Sequence, residues 1–306
     1  MTLASAAASN VSGDLVVIQR NPTSGSGRHR AALHELIRNL RKQGYCVRLF
    51  SNRIRLDEFV KRVADEQTIR CLVAAGGDGT VRDLLNRHPD RPIAAMPMGT
   101  ENLVARHLGI PCDGSVVADV IDQGHFQFFD TVQIGDGRFL IMASAGFDAD
   151  IVHRLHAGRT GNIHHWNYLR PILSTIVDYR FPRIRVENLD TGDSVIGTYV
   201  LIGNFREYGL NVKLTPAASP ADGQLDVCVF TSRSVIRTAM FFLRSFYRAQ
   251  HGEAVVRFQA RHLRLQNADS PTESRSVPLQ TDGDPSGFLP VELQVKPRSM
   301  QLLVRD

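Results

Sequence analysis

The sequence predicts an α/β domain, in which a parallel sheet has flanking helices, followed by a C-terminal antiparallel β-sandwich domain. Up to about residue 110, short apolar runs alternate with segments of helical periodicity, which is typical of a parallel sheet covered by helices. From about residue 124, short runs of strand character follow one another with few helices between them, which is typical of an antiparallel sandwich. We therefore predict a disordered tail at 1–13, an α/β domain at 14–124 and a sandwich at 125–306, whose last strand could return to the first domain.

The α/β domain is predicted from four strand–helix pairs. Each pair is an apolar run followed by a segment whose apolar residues recur at helical spacing, as Leu33, Leu36 and Leu40 do. The glycine that follows the first of these helices, Gly44, is a typical helix stop. The predicted strands are Leu15–Gln19, Tyr45–Phe50, Ile69–Ala75 and Pro92–Met96, and the predicted helices are His29–Gln43, Leu56–Ala64, one that starts with Val81–Asn86 and one that ends at Leu108.

The sandwich is predicted from nine short runs in which β-branched and aromatic residues are frequent. Two helices are predicted among them, Trp166–Tyr179 and Ser234–Gln250. The nine runs are Phe126–Ile134, Phe139–Ala143, Arg183–Glu187, Ser194–Gly203, Gln224–Thr231, Ala254–Gln259, His262–Gln266, Val277–Gln280 and Val291–Val295.

Composition and charge narrow the class of protein. With 306 residues, 43% of them hydrophobic and 22% charged, the chain has the composition of a globular protein with a sizeable core. Its net charge of +5 is compatible with anionic partners such as nucleotides or acidic lipid surfaces. The four cysteines include no CxxC pair, and no apolar run reaches the roughly 20 residues of a membrane-spanning helix. We therefore expect a reduced, cytoplasmic protein, with or without peripheral membrane contact.

Three glycine-containing loops each follow a predicted strand. They are NPTSGSG at 21–27, GGDGT at 76–80 and PMGT at 97–100. Because the carboxyl ends of parallel strands lie at one edge of a sheet, where ligands bind, we expect the three loops to meet there. Loops of this kind, followed by helix N-termini, suit phosphate groups because bare backbone N–H groups can approach the anion. The absence of a GK[ST] sequence excludes a Walker A loop.

Asp78 is unexpected in the second of these loops, since a carboxylate repels phosphate unless a cation or a proton lies between them. One interpretation is that Asp78 handles Mg²⁺ or orients the transferred phosphoryl group. The alternative is that Asp78 caps the helix that follows, through the N–H groups near Val81. The residues alone leave both interpretations open.

The three loops, in this order and spacing, resemble the diacylglycerol kinase catalytic family, which includes bacterial lipid kinases and sphingosine kinases. The third continues as PMGTENLVARHLGIP, and further similar segments are FFDTVQIG, ASAGFDADI, GNFREYG, TPAASPADGQLDV and TDGDP. The resemblance covers roughly residues 14–305. It implies an ATP-dependent lipid kinase with a nucleotide domain like that of NAD kinases, a C-terminal sandwich, and an active site between the two.

Motif matching and the loop chemistry together assign the nucleotide contacts. Most lie in the three loops, and Ser51, just after the second strand, matches a weaker position of the family pattern. The candidate ATP-binding residues are Asn21, Pro22, Thr23, Ser24, Gly25, Ser51, Gly76, Gly77, Asp78, Gly79, Thr80, Val81, Arg82, Gly99, Thr100 and Asn102.

The resemblance also implies a Mg²⁺ site in the second domain. Its matching carboxylate is Asp222, with backbone oxygens near Ser219 and Gln224 as further ligands. Asp130 would link this metal to the catalytic centre. The implied cofactors are therefore ATP and Mg²⁺.

The general base is expected from Asp282 or Asp284 of the TDGDP segment. A lipid hydroxyl attacks well only if a positioned carboxylate takes its proton as the new bond forms. The resemblance favours this role although the family usually shows the longer Glu at the position of Asp284. On its own, TDGD would be interpreted as a hairpin turn, because Asp-Gly is a strong turn dipeptide.

Two other functions stay open. A kinase of a soluble substrate is the first alternative, because NAD kinases share a GGDG loop. The Asn-Glu dipeptide that NAD kinases typically carry is absent from this sequence, which argues against this alternative. A nucleotide-binding module without catalysis is the second, although the retained aspartates argue against it. The expected partner is a lipid substrate at a membrane surface, not a nucleic acid, and a homodimer is compatible with the sequence. The identity of the lipid stays open.

The predicted helix Ser234–Gln250 is relevant to membrane contact. At helical spacing, four arginines from Arg233 to Arg248 form one stripe and apolar residues occupy the other side. Such a helix can face anionic headgroups, or it can pack on the sandwich with a solvated arginine face.

Overall fold

The structure is a computed structural model, and it describes residues 9–10, 13–22, 24, 29–63, 68–157, 179, 181–206, 215–234, 255–269 and 276–305. The chain divides into two compact units. The first unit comprises Met1–Phe129 together with Arg298–Asp306, and the second comprises Asp130–Pro297. Apart from Tyr179 and Ser234, the predicted helices Trp166–Tyr179 and Ser234–Gln250 lie outside the described residues.

The first unit is an α/β structure with a parallel sheet, which confirms the predicted class. Its elements are β1 (Ser9–Asn10), β2 (Leu15–Arg20), α1 (Arg30–Lys42), β3 (Cys46–Phe50), α2 (Arg53–Val63), β4 (Ile69–Gly76), α3 (Asp78–Arg87), β5 (Ile93–Pro97), α4 (Leu103–His107), α5 (Gly114–Gln123) and the start of β6 (His125–Ile134). Strands β3, β2, β4 and β5 are neighbours in that order, and each pair is parallel.

Burial explains why these strands form the centre of the unit. All eight residues of β4 are buried, as expected for a strand that is covered on both faces. Helix α1 contributes Leu33, Leu36 and Leu40 to the core, while α5 contributes Val117 and Val120. The sheet is therefore a fixed platform whose strand ends carry the loops.

Two details of the first unit differ from the sequence prediction. Ser9 and Asn10, within the predicted tail, pair with the start of β6. Helix α5 was not predicted, although its ends carry recognisable signals. The Asp113 side chain accepts hydrogen bonds from the Ser115 and Val116 N–H groups, and Gly124 ends the helix in a left-handed conformation.

The second unit is an antiparallel sandwich, as predicted. Its elements are β7 (Gly137–Phe139), β8 (Met142–Ala145), α6 (Phe147–Ala157), β9 (Ile184–Asn188), β10 (Ser194–Gly197), β11 (Tyr199–Gly203), β12 (Leu225–Phe230), β13 (Val255–Ala260), β14 (His262–Asn267), β15 (Pro278–Thr281), β16 (Asp284–Phe288) and β17 (Val291–Leu303). One sheet has the strand order β13-β12-β11-β8-β15-β16, and the other contains β10, β9, β14 and the first part of β17. Residues of both sheets, such as Val200, Val227 and Leu263, share one core.

Two runs predicted as single strands are interrupted. Ser194–Gly203 is divided at Thr198, whose N–H and hydroxyl both donate to the Phe230 carbonyl. The chain passes there from one sheet of the sandwich to the other. Phe139–Ala143 is divided at Leu140 and Ile141, and helix α6 was not predicted.

The last strand, β17, contributes to both units. Its first residues pair with β14 in the second unit, while Leu302 pairs in parallel with Ile93 of β5 in the first. Within the part of the chain that is described, no helix has the length and apolar character needed to cross a bilayer.

Candidate active site

The loops that follow β2, β4 and β5 lie side by side, as the sequence predicted. Arg20 is paired with Ala75, and Gly76 is paired with Pro97, so the three strands end at the same level. The pattern continues into the loops, because the Asn21 N–H donates to the Ala75 carbonyl (3.0 Å) and the Met98 N–H donates to the Gly76 carbonyl (2.9 Å). Backbone of three separate motifs therefore forms one surface at the carboxyl edge of the sheet.

Close approach of backbone explains two of the glycines. A Cβ atom on Gly99 would lie 2.5 Å from the Cα atom of Gly77, a distance that real side chains do not tolerate. A Cβ atom on Gly76 would overlap the hydroxyl of Thr80. This edge is therefore lined by backbone rather than by side chains, which is the property that a phosphate-binding loop requires.

Asp78 ties the second loop to the end of the third, and Asn102 closes the third loop on itself. The Asp78 carboxylate accepts hydrogen bonds from the N–H groups of Leu103 and Val104, both at 2.9 Å. Asn102, in a left-handed conformation, accepts from the Gly99 N–H (2.8 Å) and donates to the Gly99 carbonyl (3.0 Å). Asp78 thus caps α4 rather than the helix that it begins.

Thr80 provides an unusual feature of this edge. It is 3% exposed, and its hydroxyl has no hydrogen-bond partner among the described residues. The hydroxyl lies beside Gly76 and close to the Asn21 side chain. A buried hydroxyl without a partner costs about 1–3 kcal/mol, so a ligand atom that pairs with it would be stabilised.

The other predicted nucleotide contacts are only partly described. Thr23 and Gly25 lie outside the described residues. Ser24 closes a short turn by donating its N–H to the Asn21 carbonyl (3.2 Å), and Pro22 is exposed. Ser51 is exposed and follows directly after β3.

The remaining loop and helix positions differ in exposure. Gly79 and Thr100 are exposed, Arg82 is half-buried, and Val81 is buried in the core. The Val81 side chain therefore faces the interior, and any contact that this residue makes with a ligand must involve its backbone.

A polar network that the sequence did not reveal fixes α3 against its neighbours. The Arg87 guanidinium donates to Asp57 of α2, to Asp83 one turn earlier in α3, and to Gln19 of β2. Gln19 also donates to Asp83 (2.6 Å), and His88 is paired with Asp57 (2.7 Å). The helix that begins with Asp78 is therefore held at its far end by the Asp57 carboxylate of α2 and the Gln19 amide of β2.

In the second unit, Asp130 is tied to the loop that contains Asp222. Asp130 is 1% exposed, accepts a hydrogen bond from the Gly223 N–H (2.7 Å), and donates its own N–H to the Pro220 carbonyl (2.6 Å). The Asp222 carboxylate accepts from the Gln224 N–H (3.0 Å). Sequence positions about 90 apart thus meet in one small region of this unit.

Negative charge accumulates in this region. Burial raises the pKa of the Asp222 carboxyl above its ordinary value, and the nearby Asp130 charge raises it further, although the Gln224 N–H opposes both effects. Burial and the charge of Asp222 likewise raise the pKa of Asp226, a residue that the sequence reasoning did not single out. Repulsion among these carboxylates would be relieved by a cation.

The hairpin that joins β15 and β16 is built by Asp282 and Gly283, both with positive φ. The Asp282 carboxylate accepts three backbone N–H groups, from Leu140 (3.0 Å), Ile141 (2.8 Å) and Met142 (3.2 Å). Leu140 and Ile141 form the interruption between β7 and β8, and Met142 begins β8. The partly buried Asp282 therefore combines the predicted turn with hydrogen bonds to the start of β8.

Asp284 has different surroundings. It begins β16, and 43% of its side chain is exposed. A series of hydrogen bonds connects the neighbouring turn to α6. The Gly283 N–H donates to the Gln280 side chain (2.9 Å), and Gln280 donates to the Ser144 hydroxyl (2.8 Å). Ser144 in turn donates to Asp148 at the start of α6. The sequence identified the segment that contains Ser144 and Asp148 only as a similar stretch.

Family models match both units of the chain. The model described as diacylglycerol kinase catalytic domain matches residues 15–134. The model described as YegS C-terminal NAD kinase beta sandwich-like domain matches residues 141–304. The chain belongs to the diacylglycerol kinase catalytic-domain family.

Individual relatives agree with this membership. A diacylglycerol kinase of Mycobacterium tuberculosis (strain H37Rv) is 25% identical over 300 residues, which are 92% of this chain and 93% of the relative. A diacylglycerol kinase of Staphylococcus epidermidis (strain ATCC 12228) is 34% identical over 131 residues, which are 41% of this chain and 42% of the relative. A crystal structure of a diacylglycerol kinase from Bacillus anthracis strain Sterne matches with a TM-score of 0.71 at 20% identity, covering 96% of this chain and 98% of that one, and shows the same fold.

Membership in the diacylglycerol kinase family implies a phosphoryl donor nucleotide, and the described residues fit one. The edge formed by Gly76, Gly77 and Gly99 is lined by backbone, and the buried Thr80 hydroxyl still requires a partner. Both features suit phosphate oxygens, which accept hydrogen bonds and need close approach.

A divalent metal ion is the second group that the family implies. Among the described residues there is no cluster of three or more His, Cys, Asp or Glu side chains arranged to hold a metal. The predicted site does not need such a cluster, because it combines the Asp222 carboxylate with backbone oxygens near Ser219 and Gln224. Carboxylate and carbonyl oxygens are the ligands of hard cations such as Mg²⁺, and the mutual repulsion of the local carboxylates fits a cation there.

Proposed function

We propose that the protein is an ATP-dependent lipid kinase that transfers the γ-phosphoryl group to a hydroxyl of diacylglycerol or of a sphingoid-like alcohol. The observation that carries the proposal is the backbone-lined edge where the loops after β2, β4 and β5 meet, with the unpartnered Thr80 hydroxyl beside it. The curated relatives named diacylglycerol kinase support diacylglycerol as the first acceptor to test.

In this proposal the first unit binds the nucleotide. Backbone N–H groups of the GGDGT and PMGT loops approach its phosphates, and Thr80 donates its hydroxyl to a phosphate oxygen. Asp78 keeps the two loops at a fixed separation through its bonds to the start of α4. Because these groups are already in place, little ordering is needed when the nucleotide binds.

The second unit supplies the acidic residues. Asp284 takes the proton of the acceptor hydroxyl, because its carboxylate reaches solvent whereas that of Asp282 is occupied by three N–H groups. Asp222 and neighbouring backbone oxygens would hold Mg²⁺, with Asp130 positioning that loop. A bound Mg²⁺ neutralises charge that develops on the phosphates during transfer.

The substrate partner in this proposal is a lipid at a membrane surface, reached by transient peripheral contact, and no nucleic acid is involved. The arginine stripe of the predicted helix Ser234–Gln250, which lies largely outside the described residues, supports such contact.

The test is to incubate the purified protein with γ-labelled ATP, Mg²⁺ and a panel of lipids in mixed micelles, with NAD as a parallel acceptor. We expect label in a lipid, and we expect Asp284→Asn to lower kcat by about 10²-fold or more. Asp136→Asn is a matched control, since Asp136 is an exposed aspartate in another hairpin of the same unit. Label in NAD alone would select a soluble acceptor instead, and label in neither would refute the lipid kinase.

A further inference from the structure

His156, near the end of α6, faces the carboxylate of Asp284. Its Nε2 atom lies 3.5 Å from Asp284 Oδ1, and both residues belong to the second unit. We propose that His156 is a positioning residue, which holds Asp284 in the orientation in which that carboxylate takes the proton of the acceptor. The proposal rests on the proposed function, and it makes activity depend on the side chain of one histidine.

The other ring nitrogen of His156 makes a contact within α6. His156 Nδ1 lies 3.3 Å from the carbonyl oxygen of Val152, one helical turn earlier. Because a carbonyl only accepts, this contact is a hydrogen bond when Nδ1 carries hydrogen. A hydrogen on Nε2 likewise makes the contact with the Asp284 carboxylate attractive. Contacts at both ring nitrogens therefore orient the ring beside Asp284.

Among the described residues that pack against α6, Asp284 supplies a carboxylate next to this ring. Helix α6 packs against β8, β15 and β16, and Asp284 is the one ionisable residue within those strands. Asp282, in the adjoining turn, is directed to three backbone N–H groups. The other ionisable residues of α6 have contacts of their own. Asp148, which lies near Tyr179, accepts a hydrogen bond from Ser144. Asp150 and Arg154 pair with each other at 3.0 Å, and His153 contacts the Leu279 carbonyl at 2.8 Å.

The role of His156 does not alter the balance of the transfer. The acceptor oxygen forms a bond to the γ-phosphorus, the bond from that phosphorus to the β-phosphate oxygen breaks with its electron pair on ADP, and the hydroxyl proton passes to Asp284. His156 neither gains nor loses a proton in this transfer.

The first test compares kcat and the KM for ATP of the full chain and three variants. Gln places an amide N–H at about the position of Nε2, so His156→Gln should keep a kcat close to that of the unmodified protein. His156→Ala should lower kcat about tenfold with the KM for ATP unchanged. The matched control is Arg154→Gln, which removes a charge from the same helix and should leave kcat as it is. An equal loss of kcat in His156→Gln and His156→Ala would overturn the proposal.

A second test does not depend on activity. The ring proton signals of His156, assigned by their absence in His156→Gln, are compared by NMR between the unmodified protein and Asp284→Asn at one pH. The signals should move in Asp284→Asn, because the charged carboxylate beside Nε2 becomes a neutral amide. Signals that stay in place would overturn the pairing whatever the substrate is. Signals that move, in a protein that phosphorylates no lipid, would instead refute the proposed function and leave the pair in place.

Discussion

Two aspartates of one hairpin have opposite surroundings, although one glycine separates them. Asp282 is bound by three backbone N–H groups, and Asp284 faces solvent and His156. The sequence predicted a base in this segment but left the choice between the two open. It could not settle the choice, because the N–H groups that occupy Asp282 come from residues about 140 positions earlier.

Substitution of Asp282 should therefore reduce stability, whereas substitution of Asp284 should reduce activity. Asp282→Asn introduces an amide NH₂ group opposite backbone N–H donors, so we expect a loss of about 1–3 kcal/mol in the free energy of unfolding. Asp284→Asn should leave that free energy within about 0.5 kcal/mol, because its side chain is partly exposed. Urea unfolding followed by circular dichroism measures both, with Asp136→Asn as the control. Equal stability of the two variants would contradict the assignment of Asp282 to a supporting role.

In the first unit, a substitution of Thr80 should likewise affect stability and ATP affinity differently. Thr80→Val keeps the shape of the side chain and removes a buried hydroxyl that has no partner among the described residues. We expect the ligand-free protein to gain about 1 kcal/mol of stability. We also expect ATP affinity, measured by calorimetry, to fall about tenfold, since one hydrogen bond to a phosphate is lost. A variant that is less stable and binds ATP as before would show that the hydroxyl has a structural partner instead.

At the scale of elements, regular patterns were predictable and their interruptions were not. The strands β2, β4 and β5 were predictable because strands that are buried on both faces of a sheet consist of continuous apolar residues. The break at Thr198 was not, since it depends on the carbonyl groups of Phe230, at the end of β12, and of Ser232, which follows that strand. The same limit applies to the contacts between α2 and α3, where Asp57 meets Arg87 and His88.

The junction of α2 and α3 should make stability sensitive to acid. Burial lowers the pKa of His88 below its ordinary value of 6.5, with Arg87 and Arg91 acting in the same direction and the hydrogen bond to Asp57 opposing them. The folded state therefore binds a proton less readily than the unfolded state. The resulting stabilisation is present above the unfolded pKa and is lost as the pH falls through the folded value.

Urea unfolding of the unmodified protein and His88→Gln at pH 7.5 and pH 5 checks this expectation. The unmodified protein should lose more free energy of unfolding between the two pH values than the variant does, because the variant lacks the group that titrates. His29→Gln is a suitable control, since His29 precedes α1 and lies outside this network. Identical losses in all three proteins would contradict the role of His88.

At the scale of the whole molecule, the fold class and the family followed from local signals. Alternating strand and helix patterns predicted the first unit, successive short strands predicted the second, and the glycine loops with TDGDP pointed to the diacylglycerol kinase family. The carboxylates near Asp222 illustrate what local signals miss. Asp226 lies in the segment that the sequence singled out, yet its interaction with Asp222 is evident only once β12 is in place.

The path of β17 has a consequence for how the protein is made. Arg298 and the residues after it belong to the first unit, where Leu302 is the neighbour of Ile93, yet they follow the entire sandwich along the chain. A ribosome therefore releases them after the second unit, and until then the β5 side of the parallel sheet is an open edge that invites pairing with another chain. A chain truncated after the α/β segment would keep the β5 edge unpaired, and it should therefore be prone to aggregation.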